Sequence, residues 1–235
     1  MANLEKVALV SGANKGIGFE IAKGLAQAGF HVYLGARDEQ RGRAAERSLR
    51  DGGLEATWLA LDVTDSRSIE HVRDTIARRW ERLDGLVNNA GIATRSSADP
   101  AVIYATNVFG VAAMIQALTP LLTRAHGRVI NISSSLGSLT RLGDRDYFES
   151  QVGPELWQYA SSKSAVNALT VLFAKVLAEQ GVSVNAVCPG YCATDLNAHS
   201  GPRSAEQGAQ IALKVALGQQ PGTGQYLEDA GAVPW

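Results

Sequence analysis

Short apolar segments alternate along this chain with longer segments in which apolar residues recur every three or four positions. The short segments are apolar with little alternation, a pattern that predicts β-strands covered by helices on both faces. They occupy residues 7–11, 31–36, 57–61, 85–88, 128–133, 182–188 and 224–227. The longer segments predict amphipathic helices over residues 16–28, 66–81, 101–123, 158–179 and 205–217.

This alternation predicts an α/β fold, namely a doubly wound, Rossmann-type parallel sheet of about seven strands with helices on both faces. No low-complexity linker or internal repeat divides the sequence, so we expect a single domain over residues 1–235. The longest irregular stretch, residues 136–157, carries mixed charges, glycines and a proline. An insertion of this length in a compact domain is usually functional or part of an interface.

Composition and charge narrow the class of protein. Hydrophobic residues make up 46% of the chain, and 22 basic residues nearly balance 23 acidic ones. With this balance of charges, the chain has no overall electrostatic field that would attract nucleic acid or an anionic membrane. No stretch reaches the ~18 apolar residues of a membrane helix, so we expect a cytoplasmic protein. Cys188, Cys192 and the scattered histidines lack metal-ligand spacing, and we expect no metal.

A glycine-rich turn, Ser11-Gly12-Ala13-Asn14-Lys15-Gly16-Ile17-Gly18, joins the first predicted strand to the first predicted helix. Glycines allow backbone N–H groups to approach a pyrophosphate closely, and the helix N-terminus adds partial positive charge. The spacing is G-x-x-x-G-x-G instead of the common G-x-G-x-x-G, and such a turn alone is equally typical of a structural junction. Its position favours a dinucleotide site formed by Gly12, Asn14, Lys15, Gly16, Ile17 and Gly18.

The second predicted strand ends at a basic residue, Arg37, where many NAD-binding proteins place a carboxylate for the adenosine ribose. Arg37 and Lys15 together would suit the 2′-phosphate of NADP(H), although both could instead be solvated surface charges. Asp38 is the competing feature, because it could serve the ribose of NAD(H) if the strand ended one residue later. The sequence therefore favours NADPH or NADP+ over NAD(H).

Three further segments lie after later strands or at the start of a helix: Asn88-Asn89-Ala90-Gly91, Ser133-Ser134-Ser135 and Tyr159-Ala160-Ser161-Ser162-Lys163. In this order, and together with the glycine turn, they resemble the classical short-chain dehydrogenase/reductases. The resemblance runs from about Val7 to the end of the chain. Each segment alone is a weak signal, since Tyr and Lys four residues apart occur by chance in many helices.

The Tyr159–Lys163 pair can supply acid–base chemistry. Residues four apart lie on one face of a helix, and an ammonium close to a phenol is expected to lower the tyrosine pKa from its usual ~10 toward neutrality. Tyr159 could then donate a proton to a nascent alkoxide or accept one from an alcohol. The resemblance further implies that Lys163 hydrogen-bonds the nicotinamide ribose.

The resemblance implies roles for other residues as well. Ser134, with Ser135 as the alternative, would orient the substrate carbonyl. Asn107 would hold a proton-relay water against Lys163, or else be a capping or kink residue. Asp62 would contact adenine, or instead cap the next helix. The remaining cofactor contacts that the resemblance implies are Val63, Asn89, Ala90, Gly91, Pro189, Gly190 and Thr194.

Within this family the chain looks most like the carbonyl reductases, because of the Asn14-Lys15 pair, the Ala36-Arg37-Asp38 sequence and the enlarged segment before Tyr159. Those relatives use NADPH and reduce quinones, aldehydes and ketones. The insertion is shorter here, and we expect residues 136–157 and 198–206 to form the walls of the substrate pocket. Both a monomer and a homo-oligomer are compatible with the sequence.

The resemblance thus predicts an NADPH-dependent reductase acting on a small-molecule carbonyl. Two alternatives stay open: an NADP-dependent alcohol dehydrogenase acting in the oxidative direction, and a non-catalytic NADP(H)-binding redox sensor. The presence of Asn107, Ser134, Tyr159 and Lys163 together argues against the sensor, because a non-catalytic protein can lose any of them without penalty.

Overall fold

A continuous, mostly parallel sheet forms the centre of the molecule. The computed structural model describes residues 6–93, 99–152 and 156–235, and within them the sheet has eight strands in the order β3-β2-β1-β4-β5-β6-β7-β8. The strands are β1 Lys6–Ser11, β2 Phe30–Ala36, β3 Ala56–Ala60, β4 Gly85–Asn88, β5 Arg128–Ile132, β6 Ser183–Val187, β7 Tyr226–Glu228 and β8 Gly231–Ala232. β1 to β7 run parallel, and β8 pairs antiparallel with β7.

Helices cover both faces of this sheet. They are α1 Gly16–Gln27, α2 Glu39–Asp51, α3 Ser66–Trp80, α4 Pro100–Tyr104, α5 Gly110–Ala125, α6 Leu139–Leu142, α7 Arg145–Tyr147, α8 Trp157–Ala178 and α9 Ala205–Ala216. Neighbouring residues of β1 divide between the two layers, with Ala8 and Val10 packed on the side of α1, α2 and α9. Val7 and Leu9 pack on the side of α3, α5 and α8. The two apolar cores confirm the predicted doubly wound arrangement.

The direction of winding reverses between β1 and β4. β2 and β3 extend the sheet on one side of β1, whereas β5 to β8 extend it on the far side of β4. In open α/β sheets a crevice forms at such a switch point, beyond the carboxyl ends of the strands. The glycine turn after β1 and the Asn-rich end of β4 therefore meet at this crevice.

The structure corrects several predicted elements. Neither β8 nor the helix α2 was predicted. The helix α2 gives little apolar periodicity, because it is strongly polar and buries only Gly42, Ala45 and Leu49. The helix predicted over residues 101–123 is interrupted by a π-helical turn, Ala105–Phe109, between α4 and α5. The described part of segment 136–157 is largely helical instead of irregular, since it contains α6, α7 and a π-helical turn, Phe148–Val152.

The span Pro100–Ala125 is long and apolar enough to cross a membrane by length and composition alone, which differs from the expectation drawn from the sequence. Its buried side chains, among them Val111, Met114 and Leu118, pack against residues of α3 and the sheet. A core helix of a folded domain has this same composition, because one stripe of it must be apolar. The packing supports that interpretation.

One buried histidine lies at the β2–β3 side of the sheet. His31 is 1% exposed, and its Nε2 lies 3.1 Å from Thr57 Oγ1. Its ring contacts those of Tyr33 and Trp80, at centroid distances of 5.0 and 5.2 Å. Burial, with the nearby Arg79 charge, lowers the pKa of His31 to about 4. The imidazole is therefore neutral in the folded chain at neutral pH.

We predict that His31 makes folding less stable in acid. The unfolded chain takes up this proton near pH 6.5 but the folded chain only near pH 4, so stability is lost as the pH falls through that window. His31→Gln should reduce the fall in melting temperature between pH 7 and 4.5, measured by circular dichroism. His71→Gln, on the exposed face of α3, is the control and should behave as wild type. An equal fall in His31→Gln and wild type contradicts the prediction.

Candidate active site

The glycine turn adopts a conformation that side chains disfavour. Gly12 and Gly16 have positive φ values of 66° and 58°. A Cβ on Gly18 would lie 2.3 Å from Asn89 Nδ2 and 2.5 Å from the Gly12 carbonyl oxygen. Lys15 occupies the N-cap of α1 without a capping hydrogen bond from its side chain. Because that side chain does not cap the first N–H groups of α1, these groups can donate hydrogen bonds to a bound anion.

Asn89 holds the turn against the end of β4. Its Nδ2 donates to the carbonyl oxygens of Ser11 and Gly12, at 3.0 and 3.1 Å. The Ser11 hydroxyl accepts hydrogen bonds from the backbone N–H groups of Asn89 and Ala90, both at 3.0 Å. Asn89 was predicted as a cofactor contact, and the structure shows that its amide also fixes the shape of the turn.

Arg37 projects from the end of β2 into solvent and forms no ion pair within the described residues. Its positive charge helps to lower the pKa of Asp62: burial alone would raise that pKa, but hydrogen bonds from Thr64 and the Arg37 charge outweigh it. Asp38 caps α2 by accepting from Arg41 N at 2.8 Å and also bonds the Arg41 guanidinium. The carboxylate of Asp38 is thereby engaged in its own helix.

Other predicted cofactor contacts flank the same crevice. Asp62 accepts from Thr64 N and Oγ1 at 2.9 and 2.7 Å, and Asp65 is the cap of α3 instead. Val63 is buried beneath Gly110 at the start of α5. Asn14 and Ile17 are half-buried in the glycine turn.

The loop after β6 reaches the glycine turn from the other side. Pro189 and Gly190 follow β6, and a Cβ on Gly16 would lie 3.5 Å from Thr194 Cγ2. Lys15, predicted to share a site with Arg37, pairs with Asp195. The pair links the N-terminus of α1 to the loop after β6, a link that no local pattern in the sequence indicates.

Lys163 lies at the centre of the four predicted catalytic residues. It is only 5% exposed, its Nζ donates to the Ile132 carbonyl oxygen at 2.7 Å, and it stands 5.6 Å from the centroid of the Tyr159 ring. A Cβ on Gly91 would lie 3.7 Å from this Nζ and 3.4 Å from Asn107 Oδ1. The structure therefore brings together the ends of β4 and β5 and the helix α8.

Asn107 lies in the π-helical turn between α4 and α5. Its Nδ2 donates to the Ile92 carbonyl oxygen at 2.9 Å and to Ser162 Oγ at 3.0 Å, and its Oδ1 accepts from Ile92 N at 2.9 Å. π-Helical turns inside helices frequently occur at functional sites. Ser162, which was not assigned a role from the sequence, anchors Asn107 to α8 from within the Tyr159–Lys163 segment.

Ser134 completes the group, since its side chain lies close enough to Tyr159 to lower the pKa of the phenol. Burial raises the pKa of Tyr159 to about 12, and the Ser134 side chain offsets part of this rise. Burial also lowers the pKa of Lys163 to about 8. The expectation of a lowered Tyr159 pKa was wrong, because desolvation of the phenol dominates and the Lys163 ammonium is directed to a backbone carbonyl.

Ser134 is held against α8 by its neighbours. A Cβ on Gly137 would lie 2.8 to 2.9 Å from the backbone and Cβ of Lys163, so only glycine allows this close approach. Asn167 donates to the Gly137 carbonyl oxygen at 3.0 Å and accepts from Ser133 Oγ at 2.6 Å. The side chains of Ser134, Tyr159 and Lys163 thus share one rigid support.

A family model for short chain dehydrogenases matches residues 6–205, and the chain belongs to this family of oxidoreductases. Over the full length of both chains, it is 35% identical to carbonyl reductase (NADPH) 3 of Mus musculus. That alignment spans 279 positions, against 235 residues here, so the relative has residues without a counterpart in this chain.

Solved structures show the same similarity. The NADPH-bound carbonyl reductase from chicken fatty liver superposes with a TM-score of 0.86 at 25% identity, covering 98% of this chain and 99% of that chain. Salutaridine reductase from Papaver somniferum superposes with a TM-score of 0.82 at 28% identity, covering 96% of this chain and all of that one.

Proposed function

We propose that this protein is an NADPH-dependent reductase of ketone, aldehyde or quinone carbonyls, with Tyr159 as the proton donor. The observation that carries the proposal is the convergence of Tyr159, Ser134, Lys163 and Asn107 beside the glycine turn. The relatives named as NADPH carbonyl reductases support the same activity.

The residues of the crevice fit a dinucleotide. Gly12 and Gly16 have positive φ values and no side chains, so a phosphate can approach the backbone of the turn. The side chain of Lys15 does not cap the N-terminus of α1, so the first N–H groups of this helix can face the phosphate. Arg37 is exposed at the end of β2, where it can bind a 2′-phosphate. When bound, the reduced cofactor supplies the hydride that the carbonyl carbon accepts. The chain itself supplies orientation, electrostatic stabilisation and the proton.

Tyr159 and Ser134 act on the carbonyl oxygen. Because the pKa of Tyr159 is about 12, its phenol is protonated at neutral pH, the form that a proton donor requires. The Ser134 hydroxyl, which lies near Tyr159, orients the carbonyl oxygen toward the phenol.

Lys163 and Asn107 support the loss of that proton. The Lys163 ammonium, fixed by the Ile132 carbonyl 5.6 Å from the centroid of the Tyr159 ring, offsets part of the cost of the negative charge that develops as Tyr159 transfers its proton. Asn107 binds both the N–H and the carbonyl of Ile92, and Gly91 separates it from Lys163. We assign Asn107 to the path by which the phenol regains a proton from solvent.

The substrate is apolar or aromatic in this proposal. Large hydrophobic side chains are exposed on one expected wall segment, at Phe148 and Trp157 (40% and 57%), and on the loop after β6, at Tyr191 (49%). Aromatic side chains that line a site favour aromatic or apolar ligands. The described part of segment 136–157 and the loop after β6 carry these residues.

Tyr159→Phe tests the proton donor. We predict that carbonyl reduction falls about 10²–10⁴-fold, the usual contribution of a general acid. Oxidation of NADPH is followed by absorbance over a panel of quinones, aromatic aldehydes and cyclic ketones. The variant should still bind NADPH with wild-type affinity by fluorescence titration. Turnover that persists in Tyr159→Phe removes this residue from the mechanism.

Arg37→Ala tests the choice of cofactor. We predict that KM for NADPH rises about 10-fold or more, while KM for NADH stays unchanged, because only NADPH carries the 2′-phosphate. Arg47→Ala, an exposed position of α2, removes the same charge and serves as the matched control. The assignment is contradicted if Arg37→Ala raises KM for NADPH and NADH equally, or if Arg47→Ala raises KM for NADPH as much as Arg37→Ala does.

A further inference from the structure

Tyr226 lies outside the four proposed catalytic residues, yet it bonds the loop that carries one of them. It belongs to β7, its side chain is 2% exposed, and its hydroxyl donates to the Ser134 carbonyl oxygen. We propose that Tyr226 is a positioning residue that fixes Ser134 so that the serine hydroxyl faces Tyr159. The inference rests on the proposed function and adds a residue to it.

Tyr226 is itself firmly anchored. It pairs with Ala186 in the parallel β6–β7 ladder, and its carbonyl oxygen accepts from Val233 N at 2.8 Å. Its ring packs on that of Trp235, with centroids 5.4 Å apart. The phenol therefore projects from a strand that is held on both sides, and it can act as a fixed reference point for the Ser134 loop.

The other bonds of the loop do not replace this one. The Ser134 carbonyl also accepts from Gly137 N at 2.7 Å, but that bond lies within the loop's own turn and moves with it. Ser133 and Ser135 are tied to β6 and the residue after it, through Val187 O at 2.8 Å and Cys188 Sγ at 3.2 Å. Among the described side chains, Tyr226 is the only one that bonds the Ser134 carbonyl oxygen, whereas Cys188 bonds the N–H of the same peptide unit.

The chemistry of Tyr226 suits a neutral donor. Burial raises its pKa well above the usual range, and the nearby side chains of Ser133 and Asn167 offset only part of this rise. Its proton thus stays in place across the working pH range. Displacement of Ser134 would weaken the influence of its side chain on Tyr159, which holds the pKa of the phenol below the value that burial alone would give.

Tyr33 provides a matched control. It is also 2% exposed, and its hydroxyl accepts from Trp80 Nε1 at 3.0 Å. It lies on β2, on the other side of β1 from β4 and the Ser134 loop. Tyr33→Phe and Tyr226→Phe each remove one buried, hydrogen-bonded hydroxyl and keep the ring. Only the second removes a bond to Ser134.

The kinetic test is a double-mutant cycle with Ser134→Ala. We expect Tyr226→Phe to lower kcat about 10-fold with KM for NADPH unchanged, because a small displacement of an orienting group slows reaction more than binding. In the Ser134→Ala background the same change should have no further effect, and Tyr33→Phe should leave kcat unaltered. Wild-type kcat in Tyr226→Phe, a full additional loss in the double variant, or an equal loss in Tyr33→Phe would overturn the proposal.

A second readout does not depend on turnover. Hydrogen–deuterium exchange of the amides at residues 134–138 should be faster in Tyr226→Phe and unchanged in Tyr33→Phe. Unchanged exchange in Tyr226→Phe overturns the positioning role. If Tyr159→Phe retains activity, the proposed function fails, whereas the exchange experiment still decides whether Tyr226 holds the Ser134 loop.

Discussion

The ammonium of Lys163 is buried, and this constraint determines how the surrounding elements must meet. A charged group out of water is costly unless it is hydrogen-bonded, and here the bond goes to the Ile132 carbonyl oxygen at 2.7 Å. That bond joins α8 to the end of β5. Burial also lowers the pKa of Lys163 to about 8, which is still high enough for the ammonium to be the main form at neutral pH.

Two glycines lie directly against this lysine, and one of them, Gly137, allows an approach that a side chain would block. Gly137 lets the loop after β5 lie directly against the backbone of Lys163, and Gly91 brings the segment after β4 within contact distance of its Nζ. The same approach carries Ser134 to Tyr159 and Asn107 to the segment after β4. Parallel strands end at a common edge, so side chains from distant parts of the sequence gather there without long loops.

Much of the fold was predictable because its signals are local. The strands are short apolar runs, and Gly12 and Gly16 occupy positions whose φ values favour glycine. The helix α2 was not predicted because most of its residues are polar and exposed, which leaves little apolar periodicity. The π-helical turn at Asn107 was not predicted because its apolar residues continue the periodicity of the helices around it. Sequence periodicity reports which face is buried, not how tightly the backbone is wound.

The features of the site that the sequence did not predict depend on distant contacts or on burial. Lys15 pairs with Asp195 180 positions away, and Tyr226 bonds Ser134 92 positions away. No pattern of neighbouring residues encodes such pairs. The pKa of Tyr159 was predicted in the wrong direction because the sequence shows the nearby lysine but not the desolvation of the phenol.

Isotope transfer is the measurement that decides whether this crevice reduces carbonyls. The protein is incubated with a ketone or quinone and with NADPH deuterated at either face of nicotinamide C4, and the product is analysed by mass spectrometry. With the ketone, the proposed mechanism predicts one deuterium on the carbinol carbon from one of the two labelled cofactors, and none at that carbon from D₂O. With the quinone it predicts cofactor oxidation without retained label, because the quinol carries no hydrogen on the former carbonyl carbons. Label at the carbinol carbon from solvent, or from neither cofactor, would contradict it.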